Sequence, residues 1–352
     1  MISTSERASK AFHFRKEWLV SLIRFIGLFG LAFLVFAIIL LAFGKNPVKA
    51  YVDFFSNTLG STYGFSEILV KMIPLVLTAV AVAVPSRIWL INVGGEGQLY
   101  IGALFATWGA LTFSGLPAWI LLPWMILLGM IGGSLWAFIP GLLRALGLVN
   151  ETITTLLLNS VAPMIVSFFV FGFWHSPMDT NKTPIFASAA RLPTLFGTRL
   201  DVSLVFGLLL LALFLFVMKY TPWGLEMRSI GGNPQASRRN GIPVRRYVVA
   251  ALCLGGAVAG LAGMAQVSGY YGVLLANFSR GIGYMGFLIS WLAGGSPLGI
   301  LLTSFVIGII LTGGNLLQLT RDVPYSAIHI LLATTLFVVL ARPQPWRRRN
   351  AA

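Results

Sequence analysis

The stretch Phe25-Ile-Gly-Leu-Phe-Gly-Leu-Ala-Phe-Leu-Val-Phe-Ala-Ile-Ile-Leu-Leu-Ala-Phe43 carries no charged or amide side chain along its whole length. About 20 apolar residues cross a bilayer as a helix, so this stretch reads as a transmembrane span. Arg7, Lys10, Arg15 and Lys16 precede it, as basic residues precede a secretory signal. It is too long for a signal core, however, and no small-residue cleavage site follows it. We expect a first span that is retained.

Working outward, nine further apolar runs follow at 66–86, 92–113, 117–140, 151–173, 202–218, 247–267, 281–294, 297–316 and 325–341. The run at 281–294 is short for a crossing, and a tilted, broken or re-entrant segment is expected there. Charged residues make up 10% of the 352 and the mean hydropathy is +0.86. Soluble domains carry roughly a quarter charged residues, so the solvent of this chain is largely lipid. The 38 glycines and 17 prolines suit helices that pack closely and break locally. The expected fold is an all-α polytopic membrane bundle of about ten transmembrane helices, with eight as the alternative count.

The formal charge of +15 is concentrated in short segments between the apolar runs, with no continuous basic face. That excludes a nucleic-acid partner and fits arginines and lysines that fix topology. With ten spans and the N-terminus inside, sixteen basic residues fall in inner segments and seven in outer ones. Both termini are therefore expected in the cytoplasm. Segments 1–24 and 342–352 would be the cytoplasmic ends, the second a basic tail containing Arg347, Arg348 and Arg349, and 25–341 the membrane domain.

Catalysis finds little support. Ten acidic residues and three scattered histidines, His13, His175 and His329, form no metal-ligand or acid–base pattern. Cys253, the single cysteine, lies in an apolar run and reads as a packing residue. No stretch carries the two glycines followed by Lys and Ser or Thr that cradle a nucleotide's phosphates. No metal, cofactor or catalytic residue is expected, and any ATP hydrolysis belongs to another chain.

Two loops are long. Trp174 to Asp201 is placed outside and contains Pro177, Pro184 and Pro193. Lys219 to Arg246 is placed inside and reads Gly224-Leu-Glu-Met-Arg228-Ser-Ile-Gly231-Gly232-Asn233-Pro234-Gln-Ala236-Ser-Arg238-Arg239-Asn240-Gly241-Ile242-Pro243. Asn233 suits an N-cap, Pro234 the first helical position and Gly241 a left-handed stop. This predicts a helix of about two turns, marginal alone, whose order must come from something packed against it. A connector on the membrane surface fits the same residues.

Two blocks carry polar groups into apolar runs. In Ile91-Asn92-Val-Gly94-Gly95-Glu96-Gly97-Gln98-Leu-Tyr100, helical spacing would put Asn92, Glu96 and Tyr100 on one face. A carboxylate in a span costs roughly 2.5–3.5 kcal/mol on insertion scales and usually faces a cavity or a partner. Asn92, Glu96 and Gln98 are thus candidates for lining a solute pathway; a structural ion pair of Glu96 with Arg87 is the other reading. In the second block, Val149-Asn150-Glu151-Thr152-Ile153 through Asn159, the residues Glu151, Thr155 and Asn159 form a polar stripe. The stripe either joins helices or, at Asn159 especially, faces the pathway. Finally, Trp291-Leu-Ala-Gly294-Gly295 echoes Trp89-Leu-Ile-Asn-Val-Gly94-Gly95, and paired interruptions of this kind often mark a transporter's site. Trp291 joins the pathway candidates on that basis.

The loop pattern Gly-x3-Arg-x2-Gly-x-Asn-Pro-x-Ala, together with the Asn92–Gln98 and Asn150–Asn159 blocks, resembles the permease subunits of ABC importers of the branched-chain amino acid, ribose and nucleoside class. The nucleoside and simple-sugar members are the nearest. The resemblance implies a membrane-spanning subunit that translocates a nucleoside-like or simple-sugar solute by alternating access. It also implies an ABC ATPase subunit, a second homologous or identical permease, an extracytoplasmic solute-binding protein and a bacterial inner membrane. By the same resemblance the 219–246 loop couples to the ATPase, with Gly224, Arg228, Gly231, Asn233, Pro234, Ala236 and Gly241 at the matching positions. An ion-coupled secondary transporter using Glu96 as its titrating site is the rival reading.

Overall fold

The computed structural model describes residues 27, 30–177, 179 and 181–340. The basic N-terminal segment and the basic tail expected at 1–24 and 342–352 lie outside the described residues.

Thirteen α-helices are described: α1 Gly30–Ala42, α2 Pro47–Leu59, α3 Thr62–Ser86, α4 Gly95–Thr112, α5 Ala118–Ala145, α6 Glu151–Phe171, α7 Ser203–Tyr220, α8 Pro222–Gly232, α9 Pro234–Arg239, α10 Val244–Ala265, α11 Ile282–Leu292, α12 Pro297–Arg321 and α13 Tyr325–Leu340. A π-helical turn, Gln266–Tyr271, extends α10. Among the described residues the only strand-like pairings are isolated bridges. Several starts share one device, a short polar cap followed by proline at the first helical position. Asn46 caps α2, Thr221 caps α8 and Asn233 caps α9, each accepting from backbone N–H groups of the first turn.

Among the described residues six helices, α3, α5, α6, α7, α10 with its π turn, and α12, are long and apolar enough to cross a membrane. A seventh crossing results if α1 and α2, bent by 120° at their junction, count as one span. Helix α2 falls between the apolar runs at 25–43 and 66–86, where the sequence predicts no span. The segment at 281–294 is the eleven-residue α11, about 16 Å long at 1.5 Å per residue, roughly half a bilayer core. Helix α4 is buried nearly all round, from Gly95 to Ala110. Protein rather than lipid surrounds it, which explains how it holds Glu96, Gln98 and several glycines.

The chain divides into two compact units. The unit from Phe65 to Gly308 is built around α4, α5 and α10. Glycines let these three backbones nearly touch: a Cβ at Gly102 would lie 2.2 Å from the Cα of Gly260, and one at Gly133 would lie 2.1 Å from the carbonyl oxygen of Gly256. In lipid, where apolar burial drives little association, such close backbone packing holds helices together. The loop following α6 folds onto the end of α10. Thr183 N donates to Leu274 O, Phe186 N to Gly272 O, and Ser268 Oγ to Ala190 O.

The other unit takes residues up to Gly64 and from Ile309 onward. Within it, Asp53 on α2 accepts from Arg321 at 2.6 Å, and Phe54 fills the space left by Gly313.

Candidate functional site

The first turn of α4 is buried, and the start of α11 packs against it. After α3 the chain turns at Arg87–Trp89 and runs back as a non-helical segment to Gly94. The Asn92 amide reaches Ala81 O at 3.5 Å, more than a turn back from the end of α3. Helix α4 starts at Gly95. Helix α11 starts at Ile282, after Gly281 in the left-handed region at φ +89°. The two first turns meet: a Cβ at Gly283 would lie 2.2 Å from Glu96 N. No other residue fits there.

Non-helical backbone deep in a membrane protein must find its partners within the protein. Here polar side chains supply them. Glu151 Oε1 accepts from Ile91 N at 3.3 Å, and its other oxygen pairs with Arg144 at 3.0 Å. Asn92 Oδ1 accepts from Gly94 N at 3.0 Å, while the Asn92 and Gln98 amides bond each other reciprocally at 3.0 and 3.1 Å. Asn159 Oδ1 accepts from Gly97 N, and its Nδ2 donates to Val93 O, both at 2.8 Å. Glu96, 4% exposed, accepts from Gly281 N at 3.1 Å and Gly283 N at 2.7 Å, and so closes the first turn of α11 from a different helix. A carboxylate suits that position because α11's first N–H groups and its dipole both favour negative charge.

The predicted residues therefore divide. Asn92, Glu96, Gln98, Glu151 and Asn159 come together around one junction, all buried. Trp291 does not: it sits at the far end of α11, stacked at a tilt on Phe287 and 40% exposed. Asn92 lies ahead of α4, not on its face, because the helix starts three residues later; its natural partner is Gln98. Glu96 bonds α11 and not Arg87, whose guanidinium donates to Gly295 O at 2.6 Å. The glycine facing Gly95 across the junction is Gly283, while Gly94 is backed by Asn92, Gln98 and Thr155. Gly294 and Gly295, at φ +57° and +66°, form the turn between α11 and α12. Sequence reading missed Tyr100–Asn277, a 3.0 Å hydrogen bond beside an edge-to-face contact of Tyr100 with Phe278. The signal available was the pair of glycines flanking Ile282.

At the other end of α11 lies the 219–246 loop. Thr221 Oγ1 caps α8, and Gly224 approaches the Val217 carbonyl too closely for a side chain. Arg228 donates to Met218 O. Asn233 Oδ1 accepts from Gln235 N and Ala236 N, both at 3.0 Å, and Pro234 opens α9. Gly241, at φ +83°, ends the turn beyond α9. Gly231 sits against Arg87 O.

Residues 64–341 match the family model described as the branched-chain amino acid transport system permease component. The chain belongs to this permease family. Among curated relatives, the nucleoside ABC transporter permease protein NupB of Lactococcus lactis is 32% identical over 88% of this chain and 88% of its own length. The glucose ABC transporter permease protein TsgB13 of Haloferax volcanii is 34% identical, covering 88% of this chain and 84% of its own. The guanosine ABC transporter permease protein NupP of Bacillus subtilis is 30% identical over 86% and 88%. No solved structure matches. The chain is a permease subunit of an ABC importer, and neither the family nor these relatives favours the ion-coupled rival.

Proposed function

We propose that this permease carries a nucleoside-like or simple-sugar solute into the cell across a bacterial inner membrane. It works with an ABC ATPase subunit, a second permease chain and an extracytoplasmic solute-binding protein. Relatives named for nucleosides, guanosine and glucose, matched over most of their length, support this solute range. The absence of a phosphate-binding pattern in the chain supports ATP hydrolysis on a separate subunit.

The observation that carries the proposal is the meeting of two interrupted helices at Glu96. Half-helices whose first turns converge inside a bundle recur at transporter sites. In this reading Asn92, Glu96, Gln98, Glu151 and Asn159 form a gate beside the pathway. They are bonded to the chain's own backbone and side chains while it is shut and are released to the solute's hydroxyls or base when it opens. Trp291 borders the pathway where α11 ends. Ten traversals, with both termini inside, follow if α1 with α2, α4, α11 and α13 each count as one crossing beside the six long helices, α4 and α11 being completed by their non-helical lead-ins. The basic bias supports that orientation. It places the 219–246 loop on the cytoplasmic side, where Gly224, Arg228, Gly231, Asn233, Pro234, Ala236 and Gly241 shape the surface offered to the ATPase.

Reconstitution tests the reading. Proteoliposomes containing the complex purified with its ATPase should accumulate guanosine or glucose only when ATP is hydrolysed. Uptake that ignores ATP and collapses with an ionophore would overturn it.

A further inference from the structure

We propose that Arg87 is the positioning residue through which α8 and α9 act on the Glu96 junction. This rests on the coupling role proposed for the 219–246 loop.

Three contacts converge on Arg87. Its carbonyl oxygen lies where Gly231, in the last turn of α8, leaves room: a Cβ there would be 2.3 Å away. Its Nη2 donates to Gly295 O at 2.6 Å in the turn joining α11 to α12. Its guanidinium lies over the Phe214 ring of α7, 5.1 Å from the centroid. Arg228 of α8 is close enough to act on it electrostatically, and carries the same sign.

The consequence is a closed ring. From Arg87 the chain runs through 88–94 to Glu96, whose carboxylate grips Gly281 N and Gly283 N at the start of α11. Helix α11 then leads to Gly295, which returns to the Arg87 side chain. Both ends of α11 are thus fastened to one ten-residue segment, and α8 bears directly on that segment's first residue. A displacement of α8 cannot move Arg87 without loading α11. Left-handed φ values at Gly294 and Gly295 give the far fastening a turn that few other residues could form. A plain topology anchor at a membrane edge needs only the positive charge. It does not need the bond to Gly295, the glycine contact from α8, or the stacking over Phe214.

The test uses the permease purified with its ATPase and placed in nanodiscs. In a Cys253→Ala background, spin labels on Leu292→Cys and Leu148→Cys report the distance from α11 to the α5–α6 connection, with and without ATP. We expect an ATP-dependent shift of several ångströms. Arg87→Ala should abolish it while the ATPase stays bound and basal ATP hydrolysis changes less than twofold; Arg87→Lys should restore it only in part. Gly231→Ala, which leaves Arg87 intact, should abolish the shift as well. A full shift in both Arg87→Ala and Gly231→Ala, no shift in the parent, or loss of the ATPase from Arg87→Ala would each overturn the proposal. The coupling reading fails separately, whatever Arg87 does, if Ala236→Trp leaves the ATPase bound and the shift unchanged.

Discussion

Glu96 on α4 caps a helix to which it does not belong: its carboxylate accepts from Gly283 N at 2.7 Å and Gly281 N at 3.1 Å, joining the first turns of α4 and α11. An amide at this position would keep one acceptor and turn an N–H₂ group toward backbone donors. Glu96→Gln should therefore impair uptake nearly as much as Glu96→Ala, each by tenfold or more, while the ATPase still co-purifies. Normal uptake kinetics in both variants would show that the junction does not gate transport.

Asn159 serves two buried backbone groups at once, Gly97 N and Val93 O. Replacing it with leucine strands both, at about 1–3 kcal/mol for each buried group left unpaired. Asn159→Leu should lower the unfolding temperature in detergent clearly, while Leu157→Ala, on the exposed side of α6, should not. Equal melting of the two would remove Asn159 from the fastening of α4.

How much of this was legible in the sequence varies by type of signal. Apolar length located most of the long helices, because a lipid-facing span must be apolar. Caps located α9, because Asn-Pro and a later glycine are local chemistry. Composition also flagged the residues of the junction, since two acids and three amides stand out in apolar runs. Their partners were not legible. Helical spacing placed Asn92 on the face of Glu96, yet the need to satisfy non-helical backbone set the start of α4 at Gly95 and turned Asn92 toward Gln98. Gly283 facing Glu96 depends on a contact 187 residues apart. Likewise α2 is short and only mildly apolar, so no run announced it.

On the α8–α9 side, Asn233 holds the first turn of a helix only six residues long. Removing such a cap costs about 1 kcal/mol, a large share of what holds so short a helix. Asn233→Ala should weaken co-purification with the ATPase and lower uptake, and Asn233→Asp should restore both. Arg228→Glu should abolish coupled ATP hydrolysis outright, because it removes the anchor on Met218 O and reverses the charge facing Arg87. Substrate-stimulated hydrolysis at the parent rate in Arg228→Glu would refute the coupling assignment.

The α4–α5–α10 core sets the frame in which these contacts act. A methyl group on Gly260 would lie 2.1 Å from Gly129 O, with the backbone of Gly133 at 3.1 Å. Neither neighbour is the flexible end of a side chain, so the helices themselves must part. Overpacking a tight core costs about 1–3 kcal/mol, and more when backbone has to move. Gly260→Ala should therefore reduce the yield of monodisperse protein several-fold. Gly115→Ala, in the loop between α4 and α5 with open space around it, should express like the parent. The comparison holds the chemistry of the change constant and varies only the distance to the next backbone. Equal yields for the two would mean that α5 and α10 are not held by glycine contact.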